Sequence, residues 1–330
     1  MKILLVNKYL YRKGGAETYF IKLGEYLKSL GNEVEYFGMA DERNCVGNRV
    51  EAYTENIDFH KKSLKHITYP FKIIYSVNAR KQIRKVLSNF KPDVVHLNNF
   101  NYQLTPSIIY EIKKHNIPIV YTAHDVQLVC PNHKLKNDYT DGLCRKCDGG
   151  KYFECVKNNC VHSSKIRSIL GAVEAWYYKL RHTYKMIDLT VCPSEFMEKE
   201  ISRNDDINGR TVTMYNFIDE IKPLGAECEN YVLYFGRYSE EKGISNLVKA
   251  AKKLSNIPFV FAGKGELENE VNSADNIKNI GFKTGDELRN IIEKALFTVL
   301  PAEWSENCPF SVMESQSLMT PVLGAKIGGI

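Results

Sequence analysis

Short apolar runs alternate with stretches whose apolar positions recur every three or four residues, and this alternation continues along the chain. Residues 2–7, Lys-Ile-Leu-Leu-Val-Asn, read as a buried strand. Arg-Lys-Gly-Gly at 12–15 is a permissive turn, and Ala16, Tyr19, Phe20, Leu23, Leu27 and Leu30 then fall at helical spacing. Gly31 ends that helix, and 33–38 is the next strand. Further strands are expected at 93–97, 118–122, 189–192 and 211–215, with a helix near 105–115. A second series opens at Tyr231: strand 231–235, a Gly236–Arg237 turn, and Lys242–Gly243 ahead of a helix carrying Leu247, Val248, Ala250, Ala251 and Leu254. Strand 259–262 ends in a turn, Gly263–Lys264–Gly265. Strand, glycine turn, helix and strand in succession open a nucleotide-binding α/β fold. The pattern predicts two Rossmann-like α/β domains facing a cleft. The polar linker with Pro223 and Gly225 puts the boundary between 220 and 230, giving domains 1–222 and 229–330.

Composition sharpens this only in places. The 330 residues are ample for two cores, and 44% hydrophobic with 25% charged residues is ordinary for a soluble globular protein. No apolar run approaches the length of a membrane span, and the four apolar residues after Lys2 are too few for a secretory signal. Cytoplasmic location follows as the expectation. The net charge of +6 is uneven: residues 1–220 carry +8 and residues 221–330 carry −2. The segment His60–Lys91 holds nine Lys/Arg and no acid, interleaved with Tyr69, Phe71 and Tyr75. Basic and aromatic residues together suit an anionic membrane surface at the inner face; the plain alternative is a solvated helix face. No nucleic-acid recognition motif accompanies the charge, so nucleic acid is not expected as a partner. The amphipathic segment Ile166–Ile187, with Trp176, Tyr177 and Tyr178, is read most simply as core packing.

The chemistry concentrates near the end of the chain. Glu306 and Glu314 stand eight positions apart across a loop-to-helix junction, with Pro309 placed as a first helical residue. Amide groups at such a helix start, including those of Phe310 and Ser311, favour a phosphate. An acid on each side suits a nucleotide-sugar, one for the sugar and one for the ribose. Arg237 and Lys242 flank the start of the helix after β-strand 231–235, where two cations suit a diphosphate and the charge that grows as it leaves. Gly14 and Gly15 open the first helix and let backbone approach a ligand. His124 ends the strand at 119–123, facing the crevice at the carboxyl ends of parallel strands.

Together these residues resemble family 4 glycosyltransferases of the GT-B fold. The hallmark is Glu-x7-Glu, here in the variant Glu-Asn-x-Pro-Phe, followed by a strand and the Gly328–Gly329 turn. Gly14–Gly15–Ala16–Glu17, Asn216–Phe217–Ile218–Asp219 and Gly263–Lys264–Gly265 match in the same order, so the resemblance covers nearly the whole chain. Phe217 stands where the family usually has Gly. The resemblance implies transfer of a sugar from a nucleoside-diphosphate-sugar to a hydroxyl of a glycan or lipid-linked acceptor, with retention of configuration and no cofactor required for catalysis. It assigns His124 and Glu306 to the reacting sugar, Glu314 to the ribose, and Gly14, Gly15, Arg237, Lys242, Gly263, Gly265, Phe310 and Ser311 to donor binding. It also implies further elements beyond Ile330, so that the second domain is expected to be incomplete. Two other readings stay open: a nucleotide-sugar epimerase of the same fold, and an inactive protein that only binds.

Nine cysteines are many for such a chain, and five fall in one window: Cys130, Cys144, Cys147, Cys155 and Cys160. A Cys-x2-Cys pair plus a second close pair is typical of structural zinc. The window belongs to an expected insertion, 126–163, that is loop-like and poor in core residues. Structural zinc, free thiols and disulfides are the three alternatives; an open catalytic metal site is not expected.

Overall fold

The computed structural model describes residues 1–56, 69–137 and 142–330. The chain forms two compact units, Met1–Tyr215 and Asn216–Ile330. The division falls earlier than the expected 222. The reason is local: Asn216 donates its side-chain amide to the Cys308 carbonyl, and the Leu224 and Ala226 N–H groups bond to Glu293. The linker is thereby tied to the second unit.

In the first unit six strands lie in the order β2-β1-β3-β4-β5-β6, every pair parallel. They are β1 Lys2–Val6, β2 Glu33–Phe37, β3 Val94–Leu97, β4 Ile119–Thr122, β5 Leu189–Cys192 and β6 Thr211–Thr213. Parallel strands are covered on both faces, which is why β1 reads as an unbroken apolar run. Its side chains alternate: Ile3 and Leu5 pack with Phe20, Ile21 and Tyr36 under helix Gly15–Ser29. Leu4 and Val6 face the opposite core, built with Ile83, Val86 and Phe90 of helix Val77–Phe90 and Ile108, Ile109 and Ile112 of helix Ser107–Lys114. Ser76 caps the former helix by accepting from the Ala79 N–H. Between these helices Glu111, almost fully buried, accepts from Arg80 at 2.8 Å and Arg84 at 2.6 Å.

The second unit has five parallel strands, ordered β11-β10-β7-β8-β9. They are β7 Val232–Tyr238, β8 Phe259–Gly265, β9 Ile277–Asn279, β10 Phe297–Leu300 and β11 Val322–Gly324. Helix Ile244–Lys253 closes one face over Val232, Tyr234 and Phe261. Helix Gly285–Lys294 closes the other over Leu233 and Phe235. Each sheet reverses its strand order once, between β1 and β3 and between β7 and β10, and ligands of open α/β sheets bind outside the carboxyl ends at such points.

Several expectations are corrected. Gly236–Arg237 and Gly263–Lys264–Gly265 are not turns but the paired tips of β7 and β8, in register Gly236↔Gly263, Arg237↔Lys264 and Tyr238↔Gly265. Glycine is what allows this: a Cβ on Gly263 would stand 1.9 Å from the Gly236 carbonyl oxygen, and one on Gly265 2.2 Å from that of Tyr238. The insertion is less separate than expected, because Val126, Leu128, Val129, Cys130 and Leu135 join the main core of the first unit. The helix Lys165–Leu180 does not bury its large apolar stripe: Ile166, Ile169, Val173, Trp176 and Leu180 are exposed, whereas Ser168, Ala172 and Tyr178 face inward.

Candidate functional site

In the second unit the carboxyl ends of β7 and β10 bring charged groups together. Arg237 sits at the β7 tip and reaches Glu241 at 2.7 Å. A short 3-10 turn, Glu240–Lys242, follows; Gly243, at φ +73°, then starts helix Ile244–Lys253. A Cβ on Gly243 would lie 1.9 Å from the Pro301 carbonyl oxygen, so only glycine lets this helix start meet the loop that leaves β10. That loop carries Glu306, buried, whose Oε1 accepts from Lys242 Nζ at 2.5 Å and from Trp304 Nε1 at 2.9 Å. The Gly328–Gly329 turn packs behind it: the Gly329 N–H donates to the Glu306 carbonyl at 2.7 Å, and a Cβ on Gly328 would clash with the same oxygen. The hydroxyl of Ser239, buried beside these groups, has no hydrogen-bond partner among the described residues.

Helix Phe310–Ser317 begins directly after this loop. Pro309 is its N-cap, in extended conformation, rather than its first helical residue. Phe310 and Ser311 are therefore the first helical residues, where backbone N–H groups lack intrahelical acceptors. Glu314 lies five residues into the helix and is half-buried, less deep in the helix than two turns.

In the first unit Asn7, Asn98 and His124 stand at the carboxyl ends of β1, β3 and β4. His124 packs half-buried against the Tyr19 ring, edge to face at 5.2 Å, and its Nε2 meets Asn98 Oδ1 at 2.9 Å. Burial pushes its pKa down to about 4, against a smaller raising effect of Asp125, so the ring is neutral at pH 7. The Asn98 amide nitrogen is buried with no partner among the described residues. Gly14 is the extended N-cap of helix Gly15–Ser29, and Glu17, buried in the first turn, is held by Asn7 and Asn99. Beyond His124, Asp125 pairs with His133 at 3.3 Å, and Tyr102 stacks on the His133 ring. Glu174 of helix Lys165–Leu180 is raised to about 7 by desolvation, partly offset by His133. Lys8, also buried, lies over the rings of Tyr9 and Tyr102.

These two sites can be set beside known proteins. The family model described as Glycosyltransferase Family 4 matches residues 13–221, and that described as Glycosyl transferases group 1 matches 217–330. The chain belongs to glycosyltransferase family 4. An uncharacterised 42.6 kDa protein in the cps region of Klebsiella pneumoniae is 25% identical over 354 residues, spanning 100% of this chain and 86% of the relative. An uncharacterised glycosyltransferase of Methanocaldococcus jannaschii is 20% identical, over 100% of this chain and 80% of that protein. Among solved structures, Anabaena HepE in complex with UDP-glucose superposes with a TM-score of 0.63 at 16% identity, covering 100% of this chain and 81% of that one.

The glycosyltransferase thus gathers Arg237, Lys242, Glu306, Phe310 and Ser311 at one switch point, with Gly263 and Gly265 in the adjoining strand tip. His124 and Gly14–Gly15 belong to the other unit's crevice. Sequence reasoning missed Lys8 and Glu174 as neighbours of Tyr102 and His133, and Trp304 as a partner of Glu306. Only Trp304 left a signal, standing two positions before Glu306. Lys8 and Glu174 left none, since Lys8 meets Tyr102 and Glu174 meets His133 only when distant stretches of chain come together. The five cysteines do converge: Cys130, Cys144, Cys147, Cys155 and Cys160 all line one small cavity. No three His, Cys, Asp or Glu side chains among the described residues already stand as a metal-binding set. No helix among the described residues is long and apolar enough to cross a membrane. Of the basic segment His60–Lys91, residues 60–68 lie outside the described residues; Lys72 pairs with Glu55, and Arg80 and Arg84 serve the buried Glu111.

Proposed function

We propose that this glycosyltransferase takes a sugar from a nucleoside-diphosphate-sugar and transfers it, with retention of configuration, to a hydroxyl of a glycan or lipid-linked acceptor. The observation that carries the donor reading is the Lys242–Glu306 pair at the β7/β10 switch point, with Arg237 and a helix start beside it. A diphosphate placed there meets two cations and unpaired helix amides. Glu306, released by Lys242, is then free to accept from sugar hydroxyls, and Glu314 from the ribose. Growing charge on the leaving diphosphate is stabilised by groups already in place, and the phosphate oxygen itself takes the acceptor proton. His124, neutral and fixed by Asn98, orients the reacting sugar through a ring nitrogen rather than as an acid. UDP is the first base to test, because Anabaena HepE is seen with UDP-glucose.

The exposed stripe Ile166, Ile169, Val173, Trp176 and Leu180, with Lys165 and Lys179 on the same helix, supports a peripheral position on an anionic membrane, where a lipid-linked acceptor resides. The deciding experiment incubates the protein with UDP-, GDP-, ADP- and dTDP-sugars and measures release of the nucleoside diphosphate, with and without glycan acceptors. Release of one nucleotide that is lost in Lys242→Ala supports the reading. Neither binding nor release with any of them overturns it.

A further inference from the structure

The cysteine cavity is not used by the proposed reaction, and its construction calls for an explanation of its own. A single buried cysteine behaves as a small apolar residue. Here five cysteine side chains from three separate stretches of loop and short helix surround a space of about 10 Å³. That is room for one water-sized sphere and no more. The sulfurs are also approached by polar hydrogens. Asn137 Nδ2 donates to Cys144 Sγ at 3.0 Å. N–H groups directed at sulfur are the outer-shell contacts that orient metal-bound thiolates. Backbone N–H groups of Asn132 and Leu135 approach Cys130 as well, but its Sγ also donates to Asn132 Oδ1 at 2.8 Å, a contact that uses the thiol hydrogen.

We propose that Cys144, Cys147, Cys155 and Cys160 bind one zinc-class divalent cation in a closed tetrahedral site, and that Cys130 remains a thiol beside it. The ligand spacing is C-x2-C-x7-C-x4-C, two close pairs separated by one turn of chain. Two pairs are what a four-coordinate structural site takes. The cysteines line the cavity without yet forming a metal-binding set, and binding of the ion would draw the four sulfurs together. The four thiols lose their protons to solvent as the cation binds, and no oxidation or reduction is involved. With all four positions taken by sulfur, the ion has no open position for substrate, so its role is to fix the loop. That loop begins with Cys130–Pro131–Asn132–His133, and the His133 N–H bonds back to the Cys130 carbonyl at 2.9 Å. The Cys144 N–H bonds to the Leu135 carbonyl at 2.7 Å, so a fixed Cys144 would steady the segment that carries His133.

The test uses the whole protein purified without chelator from zinc-supplemented growth. Elemental analysis is expected to give about one zinc per chain. Replacement by Co²⁺ should produce the intense near-ultraviolet sulfur-to-cobalt absorption of a four-thiolate site, a readout that requires no variant. Cys147→Ser and Cys155→Ser should each lose the metal, while Cys130→Ser and the exposed Cys45→Ser and Cys228→Ser retain it. Alkylation with mass analysis after unfolding should find all nine cysteines reduced. Absence of metal with all thiols freely alkylated in the folded protein overturns the proposal. A mass two units lower, mapping a Cys155–Cys160 disulfide, overturns it as well. Metal that survives Cys147→Ser but not Cys130→Ser overturns the ligand assignment.

Discussion

On the proposed reading, replacing Glu306 by Gln should separate the contributions of the sugar and the diphosphate to donor binding. Glu306 is buried, and its Oε1 takes a charged hydrogen bond from Lys242 at 2.5 Å and a neutral one from Trp304 at 2.9 Å. Glutamine keeps an acceptor for Trp304 and removes the countercharge of Lys242, whose side chain is 22% exposed. A bound diphosphate supplies that countercharge again. The variant should therefore bind the free nucleoside diphosphate as well as the parent or better, by up to about fivefold, the worth of a partly exposed ion pair. The sugar loses a charged acceptor for its hydroxyls, worth about 1.5–3 kcal/mol, or roughly 10- to 150-fold in affinity. The informative quantity is the ratio of the two dissociation constants, measured by calorimetry with a nucleotide and its sugar conjugate on the same preparation. It should rise about tenfold or more, and circular dichroism should confirm an unchanged fold. Equal weakening of both ligands, or an unchanged ratio, refutes the division of labour between Lys242 and Glu306.

Other consequences are equally open to measurement. Gly243→Ala forces a side chain into a left-handed conformation and onto the Pro301 carbonyl, so it should lower stability by about 2 kcal/mol or more and weaken nucleotide binding; an unshifted melting curve contradicts the geometry. The Glu111 carboxylate is held down to about 2 by its hydrogen bonds to Arg84 and Arg80, set against burial. Its charged form favours the fold by about 3 kcal/mol above pH 4.5, a contribution that disappears as pH falls towards 2; in Glu111→Gln, urea midpoints should drop at pH 7 and lose that part of the acid dependence. His96 and His124 are both held near 4 by burial, so the unfolded chain takes up protons that the native one refuses. Stability should accordingly fall as pH drops from about 6.5 towards 4, and His96→Gln should flatten that slope.

Much of the architecture is legible along the chain because parallel strands buried on both faces must be apolar throughout, as Ile3–Val6 and Leu233–Phe235 are. Helix positions were equally plain from spacing, from Ala16 to Leu27 and from Leu247 to Ala251. The glycines at 236, 263 and 265 misled for a physical reason. Glycine serves a turn and a close strand approach equally well, and only the partner strand decides between them. The stripe on helix Lys165–Leu180 misled similarly, since periodicity says that a face is apolar without saying what covers it. At the candidate site, the two glutamates and two cations could be named from their setting. Their pairing could not, since Lys242 and Glu306 are 64 positions apart. The same limit hid Lys8 and Glu174, which acquire their surroundings only when remote segments close around them.

The paired tips of β7 and β8 have a consequence for how this enzyme can change. Arg237 is carried by a hydrogen-bonded ladder that continues to Tyr238, whereas Glu306 and Trp304 ride on a loop between β10 and the next helix. Variation is thereby partitioned. On the proposed reading, substitutions at 303–308 would reshape the sugar pocket while the phosphate-binding residues stay fixed, whereas a side chain at 263 or 265 meets the backbone of β7. A combinatorial library confined to that loop, holding Glu306 constant, is a natural route to new donor preferences on an unchanged frame.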